Sequence, residues 1–339
     1  MIKIDNGTGV DLDDLAQDHF NNLSQARKKD GSYHASQSLI GRIQKQFLKD
    51  IVYPKRVLFW EYFLKNDYFN LHRVITGRPD ELHEIINEIE KLIGNNLLSK
   101  SISYHNANLT SFGAIVKKVF NYETYRGSVN PLKYFEAFEI NFCPYCNKEE
   151  VMNIEIVDEE GDGEIINKLH QLDHFYPRVR YPYLSLSFFN LIPGCNNCNA
   201  VLKKEKDFNI ETHFNPFHKS FNDFFVFKID ISFPFNKSEI KTHCMVPHSD
   251  KTLKDLKITE RYNQGTAQEE IFEMVKLFKN NSPKIQRTII EQLKGLCSSV
   301  LISKKNLLAS QGVPVNVDDI NKKRLGKLKR DVCNQIGVI

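Results

Sequence analysis

Apolar residues set a helical rhythm early in the chain. Leu12, Leu15, Ala16, His19, Phe20 and Leu23 recur at the i, i+3, i+4, i+7 spacing of an amphipathic helix. Leu82, Ile85, Ile86, Ile89, Leu92 and Ile93 repeat it, with Pro79, Asp80 and Glu81 in the opening turn and Gly94 at the stop. Ser36 to Asp50 and Pro54 to Lys65, which holds the single Trp60, are further helices, separated by the Tyr53-Pro54 break. His19 lies on an apolar stripe and reads as a core histidine. Residues 1–139 thus form a mostly helical N-terminal domain without catalytic spacing, a scaffold or partner-docking region.

The pattern then changes. Asn153 to Asp158 and Glu164 to Gln171 read as two strands joined by Glu159 to Gly163, since Asp-Gly between apolar segments is a hairpin signal. The acids from Asp158 to Glu164 lack the twelve-residue calcium-loop pattern and read as a solvated turn. The second strand runs into Asp173-His174, Pro177 and Pro182 punctuate a loop, and Cys195 to Lys204 forms a short helix. Strands are expected again over Phe224 to Phe233 and Glu239 to Val246. Helices follow: one after the Ser282-Pro283 start, with Ile285, Ile289, Leu293, Leu296 and Val300 at helical spacing, and a last one over Asp318 to Ile336. The fold class is α+β, with residues 140–220 as a central domain and 221–339 as a C-terminal region of strands then helices.

The 339 residues, 41% hydrophobic and 26% charged, suit a globular protein of two or three domains. The N-terminus lacks a basic segment followed by an apolar one, and no apolar run approaches the ~20 residues that span a bilayer. A soluble cytoplasmic protein with no membrane association is expected. Seven cysteines in that compartment do not make a disulfide framework. Cys244, Cys297 and Cys333 stand alone and read as small buried hydrophobes.

The other four form Cys143-Pro-Tyr-Cys146 and Cys195-Asn-Asn-Cys198. Two such pairs supply four thiolates, which suit tetrahedral Zn²⁺ with Zn–S bonds of about 2.3 Å. A redox dithiol is disfavoured because two pairs are present and neither opens a thioredoxin-like unit. Four thiolates leave no open coordination position, so this zinc is expected to be structural. Harder ligands must serve any catalytic ion. Asp173 offers a carboxylate and Asn199 an amide oxygen, both suited to Mg²⁺ or Mn²⁺. His174, with an ordinary pKa of roughly 6.5, is suited to deprotonate a water for attack on a phosphodiester. Adjacent strand residues face opposite ways, so Asp173 and His174 converge only if the strand ends or twists there.

Cys143-x-x-Cys146, Leu172-Asp173-His174-Phe175, Asn190-Leu191-Ile192-Pro193 and Cys195-x-x-Cys198-Asn199 together resemble the HNH (ββα-metal) endonuclease family. The resemblance implies a zinc-stapled ββα-metal core in which His174 is the general base and Asp173 a metal ligand. It implies that Asn190 braces the loop through backbone hydrogen bonds and that Asn199 is the second metal ligand. The run from Leu172 through Tyr176-Pro177-Arg178-Val179-Arg180 to Asn190 and Cys195 resembles more narrowly the HNH subunit (PtuB) of Septu-type antiphage systems, relatives of which accompany some retrons. There the nuclease works with an ABC-type ATPase, which the resemblance implies as a partner.

Local charge fits a polyanion. Lys168, Arg178, Arg180, Lys203, Lys204 and Lys206 stand against Asp173 and Glu205 alone, although the whole chain carries only +4. Arg178, Arg180, Lys203 and Lys204 are the expected nucleic-acid contacts. The basic run Lys322-Lys323-Arg324, with Lys327, Lys329 and Arg330, reads as a solvated helix face. His213 and His218 follow the motif helix as weaker candidates. Two functions remain open: a metal-dependent HNH endonuclease of antiviral defence, with DNA as first substrate and RNA open, and a non-catalytic zinc-ribbon-like module that binds nucleic acid or protein.

Overall fold

Side-chain caps set the first two helix starts. In the computed structural model, which describes residues 3–4, 11–128, 130–157, 164–168, 170–232, 237–245, 251–280 and 304–339, Asp11 caps α1 (Leu12–Ser24) by accepting from the Asp13 N–H. Ser38 caps α2 (Leu39–Lys49) through the Gly41 N–H. Gly41 is needed for close approach, because a Cβ there would stand 2.5 Å from the His34 carbonyl oxygen. Helix α3 (Pro54–Thr76) runs on past the expected Lys65. Its backbone leaves helical geometry from Lys65 to Tyr68, with positive φ at Asn66, Asp67 and Tyr68. Asn and Asp tolerate that conformation better than other residues with a Cβ. Helix α4 (Pro79–Ile93) starts on its proline and ends at Gly94, φ +84°.

Short pieces without a clear sequence signal follow: a hairpin of β1 (Ser99–Ser101) and β2 (Ala107–Leu109), then α5 (Ser111–Phe120), α6 (Tyr122–Arg126) and α7 (Asn130–Glu136). Strand β3 (Asn153–Val157) pairs antiparallel with β4 (Glu164–Lys168), as expected, and the turn between them lies outside the described residues. The expected second strand is interrupted. Its end is a separate strand, β5 (Gln171–His174), which pairs antiparallel with β6 (Leu191–Gly194). A helix of π type spans Asn197–Lys203.

By contact, the chain divides into two compact units, one of residues 3–139 and 152–219, the other of 1–2, 140–151 and 220–339. Residues 140–220 are therefore shared between the units, and the helices of the first 139 residues belong with the segment that carries Asp173 and His174. The core of that unit is aromatic. Phe59 packs edge-on to Trp60, Phe63 and Phe112 with centroids 4.9–5.3 Å apart, and reaches Tyr183 at 6.1 Å. The Trp60 indole donates to Asp50 (2.8 Å), which also pairs with Arg56. His19 is a core histidine: it has no exposure and its Nε2 donates to the Leu186 carbonyl (2.7 Å).

In the other unit, β7 (Phe225–Ser232) and β8 (Lys237–Cys244) form a hairpin, followed by α8 (Lys251–Asp255), α9 (Ile258–Tyr262), α10 (Thr266–Asn280), α11 (Lys304–Ser310) and α12 (Gly326–Gln335). Side chains stand in for the missing ladder partners. Asp331 and Gln335 of α12 accept from the Phe227 and Ile229 N–H groups, and the Asn263 amide pairs both ways with Ile240. The expected helix over Asp318 to Ile336 is broken. Val317–Lys322 is a 3-10 turn, and Leu325 takes φ +55° before α12. The basic run there is not a solvated face. Lys327 is buried on Asp331 (3.0 Å), Lys329 pairs with Glu270, Arg324 bonds Glu270, and Arg330 donates to the Pro314 carbonyl. Cys333 is buried, Cys244 is half-buried, and Cys297 and the expected Ser282 helix lie outside the described residues. No helix among the described residues is long and apolar enough to cross a membrane.

His19 gives a pH prediction. Burial pushes its pKa down to about 4, so the unfolded chain binds a proton between about pH 6.5 and 4 that the folded chain refuses. Its contribution is complete above pH 6.5 and lost as pH falls through 4. The shift corresponds to about 3 kcal/mol. Urea unfolding of wild type and His19→Gln should show a stability gap at pH 7 that narrows by roughly that amount at pH 4.

Candidate functional site

The first cysteine pair sits in a tight turn. The Asn147 N–H donates to the Cys143 carbonyl (2.7 Å), and Asn147 itself takes φ +51°. Its side-chain amide donates to the Ile320 and Lys323 carbonyls and accepts from the Lys327 N–H, which fixes the turn. In the second pair the Cys198 N–H donates to Cys195 Sγ (3.4 Å). All four cysteines are buried and unbridged, and their sulfurs lie within 4.8 Å of one another. Tetrahedral zinc with Zn–S bonds of 2.3 Å requires sulfurs about 3.8 Å apart. Four soft donors gathered in a buried cluster fit a structural metal such as zinc.

Asp173 and His174 are the last residues of β5, opposite Ile192 and Leu191 of β6. Both line one cleft of about 340 Å³, together with Lys117, Tyr122, Arg126, Gln171, Arg178, Asn199, Lys203 and Lys204. The two neighbours converge because the strand stops there. The Phe175 N–H turns to the Asn190 carbonyl, and the Tyr176 N–H to the Asn190 side-chain oxygen (2.7 Å). The Asn190 amide nitrogen donates to the Tyr176 and Leu184 carbonyls (3.2 and 3.0 Å). Buried Asn190 thus braces both ends of the loop from Phe175 to Phe189 and does not itself line the cleft.

His174 Nε2 bonds the Ser185 carbonyl (3.1 Å). A carbonyl only accepts, so the proton is on Nε2 and the lone pair on Nδ1. The Tyr122 ring meets the imidazole edge-on at 4.4 Å. Burial and then the Arg178 charge push the His174 pKa down to about 3, with smaller pushes from Lys203 and Lys117. The ring is neutral at physiological pH.

Asp173 is 1% exposed and its Oδ1 accepts from the Lys203 ammonium (2.9 Å), which also donates to the His174 carbonyl (2.6 Å). Lys203 is therefore a buried internal partner, not the surface contact expected from charge alone. It lies four residues after Asn199 on the same helix, a spacing that faces both inward. The Asn199 amide nitrogen donates to Gln171 Oε1 (2.8 Å), which leaves its oxygen as the group with lone pairs. Of the expected basic contacts, Lys204 is exposed and lines the cleft, and Arg178 lines it while paired with Glu123 (2.6 Å). Arg180 is elsewhere. It donates to Ser101 Oγ and to the Ser103 and Tyr104 carbonyls, and so clamps the β1–β2 turn. His213 stacks on Phe208 and bonds Tyr104, His218 pairs with Asp80, and neither lines the cleft. Lys117, Tyr122 and Arg126 were not legible as site residues, because α5 and α6 carry no motif.

Two predictions follow from these contacts. Lys203→Met leaves the Asp173 carboxylate buried without its ammonium and should cost about 3–5 kcal/mol in urea unfolding. Adding Asp173→Asn should recover part of that loss, as a positive coupling in the double-mutant cycle. Cys143→Ser or Cys198→Ser should lower bound zinc, measured by elemental analysis of the purified protein, together with the melting temperature. No protein-family model, no curated protein and no solved structure matches this chain.

Proposed function

We propose that this chain is a metal-dependent HNH-type endonuclease that hydrolyses phosphodiester bonds in nucleic acid, with DNA the first choice and RNA open. The observation that carries the reading is His174: a neutral imidazole, its Nε2–H held by a backbone carbonyl, in a cleft shared with Asp173, Asn199 and five basic side chains. With its orientation fixed, Nδ1 takes the proton of a water as that water attacks phosphorus and the bond to the leaving sugar oxygen breaks. Arg178, Lys117 and Lys204 attract the phosphate. Phosphate charge would offset the cationic share of the His174 depression, so the base strengthens when substrate arrives. Asn190 acts at a distance, by fixing the loop that carries the Ser185 carbonyl. The order β5, β6, helix, with Asn199 on the helix, supports the ββα arrangement that the sequence motifs resemble.

Asp173 and Asn199 offer hard oxygen donors in one cleft, which in kind fits Mg²⁺ or Mn²⁺. When bound, such an ion stabilises charge on the phosphate and leaving oxygen. An ion at Asp173 would share that carboxylate with the Lys203 ammonium or displace it. That contact also favours the alternative: Lys203 already neutralises Asp173, as suits a non-catalytic zinc-ribbon-like module. A role in antiviral defence beside an ABC-type ATPase rests on the family resemblance alone.

His174→Ala separates the two functions. Plasmid and RNA cleavage in Mg²⁺ or Mn²⁺ should fall at least 100-fold, the scale of general-base catalysis, while bound zinc persists. Cleavage that survives unchanged in this variant would rule out the assignment of His174.

A further inference from the structure

Helix α5 carries Lys117 and Lys118 in its last turn, and α6 follows with Tyr122, Glu123 and Arg126. Basic residues in a last turn complement the helix dipole. That accounts for their charge but not for where they lie. Lys117, Tyr122 and Arg126 line the cleft at His174. A second groove of about 190 Å³ adjoins it, sharing Lys117, Tyr122 and Arg178 and adding Lys118 and Asn121. The wall common to both is fixed. Tyr122 is buried with its ring against His174, the Arg178 guanidinium lies 5.4 Å from the ring centroid, and Glu123 holds Arg178 in place. Two of the acids near this path are already matched, Asp173 by Lys203 and Glu123 by Arg178. Lys117 and Lys118, half-buried and exposed respectively, therefore add surplus positive charge along the second groove.

We propose that one strand of the nucleic-acid substrate crosses both grooves, with the scissile phosphate at His174 and flanking phosphates held by Lys117 and Lys118 at the end of α5. The proposal rests on the nuclease reading and adds that the helical region supplies part of the substrate path.

The test is fluorescence anisotropy with a labelled single-stranded oligonucleotide in EDTA, over a series of salt concentrations. Removing two phosphate contacts in Lys117→Gln/Lys118→Gln should flatten the log–log salt slope by about 1.4, equivalent to roughly 25-fold weaker binding at 0.1 M salt. Lys117→Arg/Lys118→Arg should bind like wild type. So should Lys65→Gln/Lys276→Gln, which removes the same charge at exposed sites far along the chain. Should the double variant fail to fold, Lys118→Gln alone should flatten the slope by about 0.7. An unchanged affinity and slope, an equal loss in the Lys65/Lys276 control, or no binding by wild type would overturn the path. Wild type that binds but does not cut in Mn²⁺ would instead sink the nuclease reading and leave the path standing. Cutting with an unaltered Lys117/Lys118 variant would sink the path alone.

Discussion

The contact between Asp173 and Lys203 is the constraint on which the site depends. Both side chains are almost fully buried, and a buried carboxylate is tolerated only with an opposite charge and hydrogen bonds around it. Lys203 supplies these for Asp173 and, through a second bond, holds the His174 carbonyl. One ammonium thereby ties the helix Asn197–Lys203 to the end of β5. Asn199 is carried on that helix, so its place in the cleft follows from the same ion pair. The zinc-type cysteine pair at the helix start acts alongside it: Asn199 N–H bonds the Cys195 carbonyl, which fixes the first turn from the other end.

A second layer of support comes from the helical bundle. The loop between β5 and β6 carries the Ser185 carbonyl that orients His174, and a long loop alone would not hold an imidazole to a few tenths of an ångström. Three contacts make it rigid. Asn190 closes it from inside, Tyr183 packs into the Phe59 and Phe63 cluster, and His19 donates to Leu186, next to Ser185. His19 and His174 are both neutral because both are buried, but their work differs. One fastens the loop and the other is positioned by it.

Much of this was legible in the sequence, for physical reasons that can be stated. Helices α1 and α4 announced themselves through apolar periodicity, and α4 also through Pro79 and Gly94, because these are local effects. The cysteine cluster was legible because two short spacings suffice to define it. Asp173, His174, Asn190 and Asn199 were singled out by motif, and three of them do share the cleft. What failed was whatever depended on distant partners. Charge alone made Lys203 and Arg180 look like surface cations, and only the fold reveals a buried carboxylate for one and a ring of carbonyls for the other. The break at Leu325 was hidden because its partner is distant in sequence: Asn147 accepts from the Leu325 and Lys327 N–H groups and donates to the Ile320 and Lys323 carbonyls, so the chain turns there despite helical periodicity.

The small net charge of the chain also misleads as a guide to binding. What acts on a ligand is the field within a cleft, where low-dielectric walls lengthen the reach of each charge. Around His174, five basic residues meet two acidic ones, Asp173 and Glu205; Lys203 is paired with Asp173, and Arg178 with Glu123 outside the cleft. That imbalance adds to burial, the larger cause, in lowering the His174 pKa. Here burial and the surrounding cations hold the imidazole as a free base.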